Sequence, residues 1–185
     1  MTFTQAAIPS RSLLTNAVLV LAGTMLVAFS AQVSVPMFPV PMTLQTLAIS
    51  LIGLTYGSRL AAVTLIAYLA EGAMGLPVFS NGGAGPVYMM GPTSGFLFGF
   101  VGMAWLTGFM VERGFDRGFL RLFAAAIIPG MLLFVPGVVA LKAVTGLDWQ
   151  AAMMAGMVPF LIGGVVKAAI AAMAVKAGWS LLNRR

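Results

Sequence analysis

LPVFSNGGAGPVYMMGPTSG, residues 76–95, interrupts a chain that is otherwise almost continuous apolar helix. The stretch holds Pro77, Pro86 and Pro92, five glycines, and the polar side chains of Ser80, Asn81, Tyr88, Thr93 and Ser94. Proline removes a backbone donor and glycine loosens the chain, so regular helix is not expected. The stretch is too short and too apolar for a disordered linker. It reads as an ordered loop lining a ligand pocket. The competing reading is a plain connection between two membrane helices.

The composition around it narrows the class. Of 185 residues, 61% are hydrophobic and only 8% are charged. No soluble domain of this size hides that much apolar surface, so the solvent is lipid. There are no cysteines and no histidines. That removes disulfides, thiolate metal sites, and the commonest general base and metal ligand. The acids are Glu71, Glu112, Asp116 and Asp148. No nucleophile–base arrangement, metal cluster or intramembrane acid pair is present in the sequence, so neither catalysis nor a bound metal is expected. The run GGAGP at 82–86 is no phosphate loop, because no strand precedes it and no lysine follows it.

Working outward, the apolar runs predict an all-α integral membrane protein: one domain over residues 1–185, with six transmembrane helices in one bundle. A hydrocarbon core of ~30 Å takes about 20 residues at 1.5 Å each. The expected spans are 13–31, 43–56, 60–75, 95–111, 122–144 and 156–179, the last starting somewhere between 151 and 158. The first run is long enough to span and has no small-residue cleavage site, so it reads as a helix and not as a removed signal. Residues 1–11 read as flexible or interfacial. QVSVPMFPVPM at 32–42 reads as an extended loop, since Pro36, Pro39 and Pro41 exclude helix. Pro129 and Pro136 are expected to kink the fifth span. ERGFDRGFLR at 112–121 belongs in water or among headgroups.

Charge sets the orientation. Arg11, Arg59, Arg113, Arg117, Arg121, Lys176, Arg184 and Arg185 fall on one side of the six spans, and only Lys142 falls on the other. Cytoplasmic loops collect Lys and Arg, so both termini are expected in the cytoplasm. The loops 32–42, 76–94 and 145–150 then face outside. The net charge of +6 is spread over helix ends and forms no single stripe, which argues against nucleic acid.

Two ionisable residues lie within the spans, Glu71 and Lys167. A charge there costs at least ~2.5 kcal/mol, so each is expected to face a partner or a cavity. Either they form a structural ion pair or Lys167 faces a polar ligand. Gln45, directly after the proline loop, offers an amide donor and acceptor at the outer face, or else caps its helix. Ser80, Asn81 and Tyr88 add neutral hydrogen-bonding groups. Tyr88, Trp105, Trp149 and Trp179 also fit an interfacial aromatic belt, and the many methionines fit membrane packing.

Three stretches in order carry a family resemblance: VPMFPVPMTLQTLAISLIGLTYGSRLA at 35–61, GLPVFSNGGAGPVYMMGPTSGFLFGF at 75–100 and PFLIGGVVKAAIAA at 159–172. The chain resembles the BioY family, the biotin-specific S (substrate-binding) components of energy-coupling-factor (ECF) transporters. The resemblance covers residues 13–182 and implies a multi-pass protein of a prokaryotic cell membrane that binds biotin from outside. It implies no cofactor of its own. ATP would be used only by partner ABC-type ATPases, joined through a transmembrane coupling protein. It leaves open operation without that module, as a homo-oligomer. On this reading Gln45, Glu71, Ser80, Asn81, Tyr88 and Lys167 are the substrate-binding candidates. Open alternatives are another small vitamin or precursor, or a small oligomeric channel.

Two departures stand out. The family's late motif carries an acid three residues before the lysine, where this chain has Gly164. Glu71, as the only acid inside a span, is the expected replacement. The first span also lacks the AxxxA pattern implied for docking to a coupling protein, and the nearest small pair is Thr24 and Ala28.

Overall fold

The computed structural model describes residues 2–8 and 12–182. Arg11, Arg184 and Arg185, which enter the charge count above, lie outside them. Helix makes up 77% of the described residues. In chain order the helices are α1 (Phe3–Ala7), α2 (Leu13–Gln32), α3 (Gln45–Tyr56), α4 (Ser58–Ala73), α5 (Gly85–Met89), α6 (Ser94–Glu112), α7 (Phe119–Leu132), α8 (Phe134–Thr145), α9 (Trp149–Gly156) and α10 (Phe160–Leu182). By length and composition, four stretches among the described residues are able to cross a membrane: Leu13–Gln32, Ser94–Glu112, Phe119–Thr145 and Trp149–Leu182. The α3 and α4 helices, at 12 and 16 residues, are shorter.

Helix α2 begins where Ser12 accepts a hydrogen bond from the Thr15 backbone, 3.1 Å away. Leu13, Leu14, Val18, Leu21, Met25 and Phe29 stay exposed on it, an apolar surface suited to lipid. Its buried face is Gly23, Thr24, Val27 and Ala31. A Cβ on Gly23 would lie 2.5 Å from the Thr64 methyl, so glycine permits the close α2–α4 approach. Thr24 is buried and Ala28 packs against the core, so this small pair faces the bundle and not an outside partner.

Helices α3 and α4 form a hairpin about Gly57, whose φ of +86° suits glycine. Helix α6 packs along both. Its last residue, Glu112, accepts the Ser58 backbone N–H at 2.8 Å and the Ser58 hydroxyl at 2.7 Å. A carboxylate at a helix N-terminus satisfies an orphan donor and opposes the helix dipole.

The fifth apolar stretch passes from α7 to α8 through Leu133, whose φ of −57° and ψ of −31° remain helical. Pro136 has no N–H to give the Leu132 carbonyl, which interrupts the hydrogen-bond ladder without turning the chain back. The last stretch breaks at Met157, just before Pro159, and restarts as α10.

Four expectations are corrected or refined. Residues 3–7 are helical, not flexible: Thr2 and Gln5 form a capping box, and the Phe3 ring sits edge-on to Trp179 at 5.3 Å. Trp179 is accordingly buried, with the Arg117 guanidinium 4.1 Å from its ring centre, and is no part of an exposed belt. The proline loop carries a two-residue antiparallel ladder, β1 (Ser34–Val35) on β2 (Met42–Thr43), pairing Ser34 with Thr43 and Val35 with Met42. The 76–95 stretch contains a short helix, α5, with Pro86 in its first turn, where a missing N–H costs nothing.

Candidate ligand-binding cavity

One cavity lies between the β1–β2 ladder, the 76–95 stretch and the facing ends of α3, α6, α7, α8 and α10. Its volume of ≈ 80 Å³ is several times the ~10–15 Å³ that one water needs. Most of the wall is apolar, with Phe96, Phe100, Phe134 and Phe160 contributing rings. The polar lining groups collect near residues 43–50, 80–93 and 167.

The ladder positions the first of these. It folds residues 36–41 back so that Val40 and Pro41 reach the cavity, Val40 being buried. Thr43 then donates its hydroxyl proton to Gln45 Oε1 at 2.9 Å and accepts the Gln45 backbone N–H at 3.2 Å. Gln45 is 4% exposed, and its Nε2 donates to the Tyr68 hydroxyl at 2.9 Å. Tyr68 in turn donates to the Val78 carbonyl at 2.8 Å. This chain joins β2, α3, α4 and the 76–95 stretch behind the cavity wall.

Aromatic stacking holds the same stretch from within. The Phe79 ring is fully buried, edge-on to Tyr68 at 5.6 Å and stacked on Tyr88 at 5.2 Å. Gly72 on α4 lies against the tip of the Phe79 ring, where a Cβ would collide with it. The Tyr88 hydroxyl donates to the Ser80 carbonyl at 3.4 Å. Burial pushes that hydroxyl above its usual pKa, so Tyr88 presents a neutral group.

Two hydroxyl oxygens at the cavity, Ser80 Oγ and Thr46 Oγ1, are buried without a hydrogen-bond partner among the described residues. Buried polar groups are normally paired, and a hydroxyl left alone beside a cavity is a ready ligand contact. Lys167 is half-buried on α10, and its ammonium donates to the Thr43 carbonyl at 3.0 Å. Gly164, Lys167 and Ala168 line the cavity together, at the helical spacing that shares one face.

Of the residues singled out from sequence, the cavity therefore brings together Gln45, Ser80, Tyr88 and Lys167. Asn81 does not line it. With a φ of +56°, it accepts the Ser34 hydroxyl proton at 3.0 Å and ties the 76–95 stretch to the ladder. Gln32 reinforces that clip, accepting from the Gly82 N–H and donating to the Phe79 carbonyl, each at 3.0 Å. Glu71 is also outside the lining, since Tyr68, Leu69 and Gly72 take the buried face of α4. No ion pair joins it to Lys167 among the described residues, and no carboxylate lines the cavity there. Sequence reasoning missed Thr46, Ser50 and Tyr68. The signal was available: polar side chains recurring at 43, 45, 46 and 50 in an otherwise apolar helix, and a mid-helix tyrosine whose hydroxyl needs a partner.

Comparison with known proteins places the architecture. The BioY family model matches residues 4–184. The biotin transporter BioY of Rhizobium etli is 36% identical over 163 residues, covering 83% of this chain and 87% of that one. The biotin transporter BioY2 of Lactococcus lactis is 32% identical over 150 residues, covering 81% and 82%. A crystal structure of the S-component for biotin from an ECF-type ABC transporter superposes with a TM-score of 0.78, covering 91% of this chain and 94% of that one at 18% identity. That likeness establishes a shared fold. The family model and the relatives establish more: the chain belongs to the BioY family.

Proposed function

We propose that this protein binds biotin from the extracytoplasmic side of a prokaryotic cell membrane, as the S component of an ECF-type uptake transporter. The cavity is the observation that carries the reading. It is small, mainly apolar, and supplied with a few clustered polar groups, which suits a compact vitamin with one charged end. The aromatic walls accommodate an apolar thioether ring. The unpartnered hydroxyls of Ser80 and Thr46 offer hydrogen bonds to a ureido group, with Gln45 and Tyr88 beside them. Lys167 supplies the cation. Asn81 acts one step back, holding the loop, and Glu71 has no ligand contact in this reading.

The same reading has six membrane crossings, with α3 and α4 as the two short ones and both termini in the cytoplasm. Support comes from Arg59, Arg113, Arg117, Arg121 and Lys176, which the helix order gathers at one end, against Lys142 at the other. A coupling transmembrane protein and ABC-type ATPases complete the transporter, with ATP consumed only by those partners. The alternative is a homo-oligomer that works without them. The absence of cysteine makes the topology easy to test. Asn81→Cys should react with an impermeant maleimide on intact cells and Asp116→Cys only after permeabilisation; the opposite pattern would invert the orientation.

Competition against labelled biotin tests the ligand. Biotin should displace the label most tightly, dethiobiotin less so, and thiamin not at all. Displacement by thiamin but not by biotin would favour an S component for another vitamin, the reading that Gly164 keeps alive.

A further inference from the structure

A second, open groove of ≈ 510 Å³ lies at the end of α3 opposite the ligand cavity, between α1, α2, the α3–α4 turn and the end of α6. We infer that this groove is a headgroup site for an aminophospholipid of the phosphatidylethanolamine kind. The inference is independent of what the cavity binds. The volume falls within the ~300–1,000 Å³ of small-molecule sites. The lining carries one charge of each sign, Arg59 on α4 and Glu112 on α6. Arg59 is exposed and, among the described residues, has no hydrogen bond, ion pair or ring contact. Glu112 accepts twice from Ser58. A carboxylate has about four lone-pair sites, so it can still accept from a ligand. Asn16 on α2 adds an amide oxygen that is buried without a hydrogen-bond partner among the described residues. Buried acceptors are normally paired, so this one calls for a donor.

One cation beside two acceptors fits a zwitterion. The planar guanidinium of Arg59 suits the phosphate oxygens, which it can bind in pairs. The ethanolamine ammonium has three N–H donors, enough for Asn16 Oδ1 and a free lone pair of Glu112. Choline has no N–H to donate. A glycerol headgroup donates hydroxyls but brings no positive charge to Glu112. The apolar side of the groove points to a lipid and not to free phosphoethanolamine. Leu60 and Val63 complete the lining. Val63 and Ile66, one turn apart on α4, are 51% and 55% exposed. They continue from the headgroup site along the helix, where an acyl chain would lie. A soluble ligand would leave that surface uncovered.

Native mass spectrometry of the full-length protein in detergent tests the site. The protein is titrated with phosphatidylethanolamine, phosphatidylcholine and phosphatidylglycerol of matched chains. Wild type should retain one phosphatidylethanolamine about 10-fold more tightly than either other lipid. Asn16→Leu removes the buried acceptor, so that preference should fall to within about two-fold. Arg59→Gln removes the phosphate partner and should weaken phosphatidylethanolamine by about 10-fold. Arg59 is exposed, so this variant keeps the test open if Asn16→Leu does not fold. Both variants should bind the cavity's ligand as wild type does, which separates the groove from the cavity. Soluble O-phosphoethanolamine should displace the lipid only weakly. Equal retention of the three lipids would overturn the assignment, as would a preference for phosphatidylglycerol or unchanged retention in Arg59→Gln. Displacement by O-phosphoethanolamine at the lipid's own affinity would also overturn it, assigning the groove to a soluble ligand.

Discussion

Replacing Tyr68 with phenylalanine deletes one oxygen at the centre of the chain that runs from Thr43 through Gln45 to Val78. The ring stays, and with it the edge-on packing against Phe79 at 5.6 Å. What is lost is a donor to the Val78 carbonyl at 2.8 Å and an acceptor for Gln45 Nε2 at 2.9 Å. Both are held at a fully buried side chain. A buried group left unpaired costs about 1–3 kcal/mol, so two orphans set a ceiling of roughly 2–6 kcal/mol. Local relaxation brings the expected cost to about 2 kcal/mol. In a chain of this size that lowers the thermal midpoint in detergent by roughly 4–8 °C. Gln45 lines the cavity and Val78 leads into Ser80, so the same change loosens two walls of the site. Biotin affinity should fall by up to about 30-fold, taking 1.4 kcal/mol per factor of ten. Thermal unfolding and titration on the same preparation read both effects. Unchanged midpoint and affinity would refute the claim that this chain organises the site, and a lowered midpoint with unchanged affinity would reduce it to a structural tie.

Other consequences are simpler to read. Ser80→Ala removes a hydroxyl with no protein partner, so the ligand-free thermal midpoint should hold or rise while biotin affinity falls, by about 1 kcal/mol for one neutral hydrogen bond; loss of stability without loss of affinity would contradict the ligand role. Glu112→Gln keeps an acceptor for Ser58 but removes the charge that opposes the α4 dipole, and should cost about 1 kcal/mol in thermal unfolding with biotin affinity unchanged. Phe38, at the tip of the proline loop, is 97% exposed. A Phe38→Cys label should react several-fold more slowly once biotin is added if this loop is a lid, and an unchanged rate would count against closure.

The helical bundle and its two irregular segments were legible because hydropathy and proline act locally. Apolar runs near 20 residues demand helix in lipid, and Pro36, Pro39 and Pro41 forbid it between them. The candidate site was legible in part. Lys167, Gln45, Ser80 and Tyr88 stand out as polar groups in apolar surroundings, and all four line the cavity. Glu71 stands out equally but sits off the buried face of α4, a difference of helical phase that a list of polar residues does not resolve. Asn81 was placed at the ligand because its neighbours suggested it, whereas its side chain turns to Ser34. Helix α1 was missed because Phe3 gains its partner from Trp179, at the far end of the chain, although Thr2 and Gln5 have capping-box spacing in the sequence itself. Tyr68 was passed over because a tyrosine in a membrane helix looks ordinary until its hydroxyl is traced.

The central claim is that the cavity beneath the 76–95 stretch takes biotin. Native mass spectrometry of the purified protein, released from detergent after brief exposure to biotin, tests it directly. The account predicts a bound mass equal to one biotin per chain, lost in Lys167→Met at the same ligand concentration. A protein that retains no biotin, or holds it undiminished in that variant, would contradict the account.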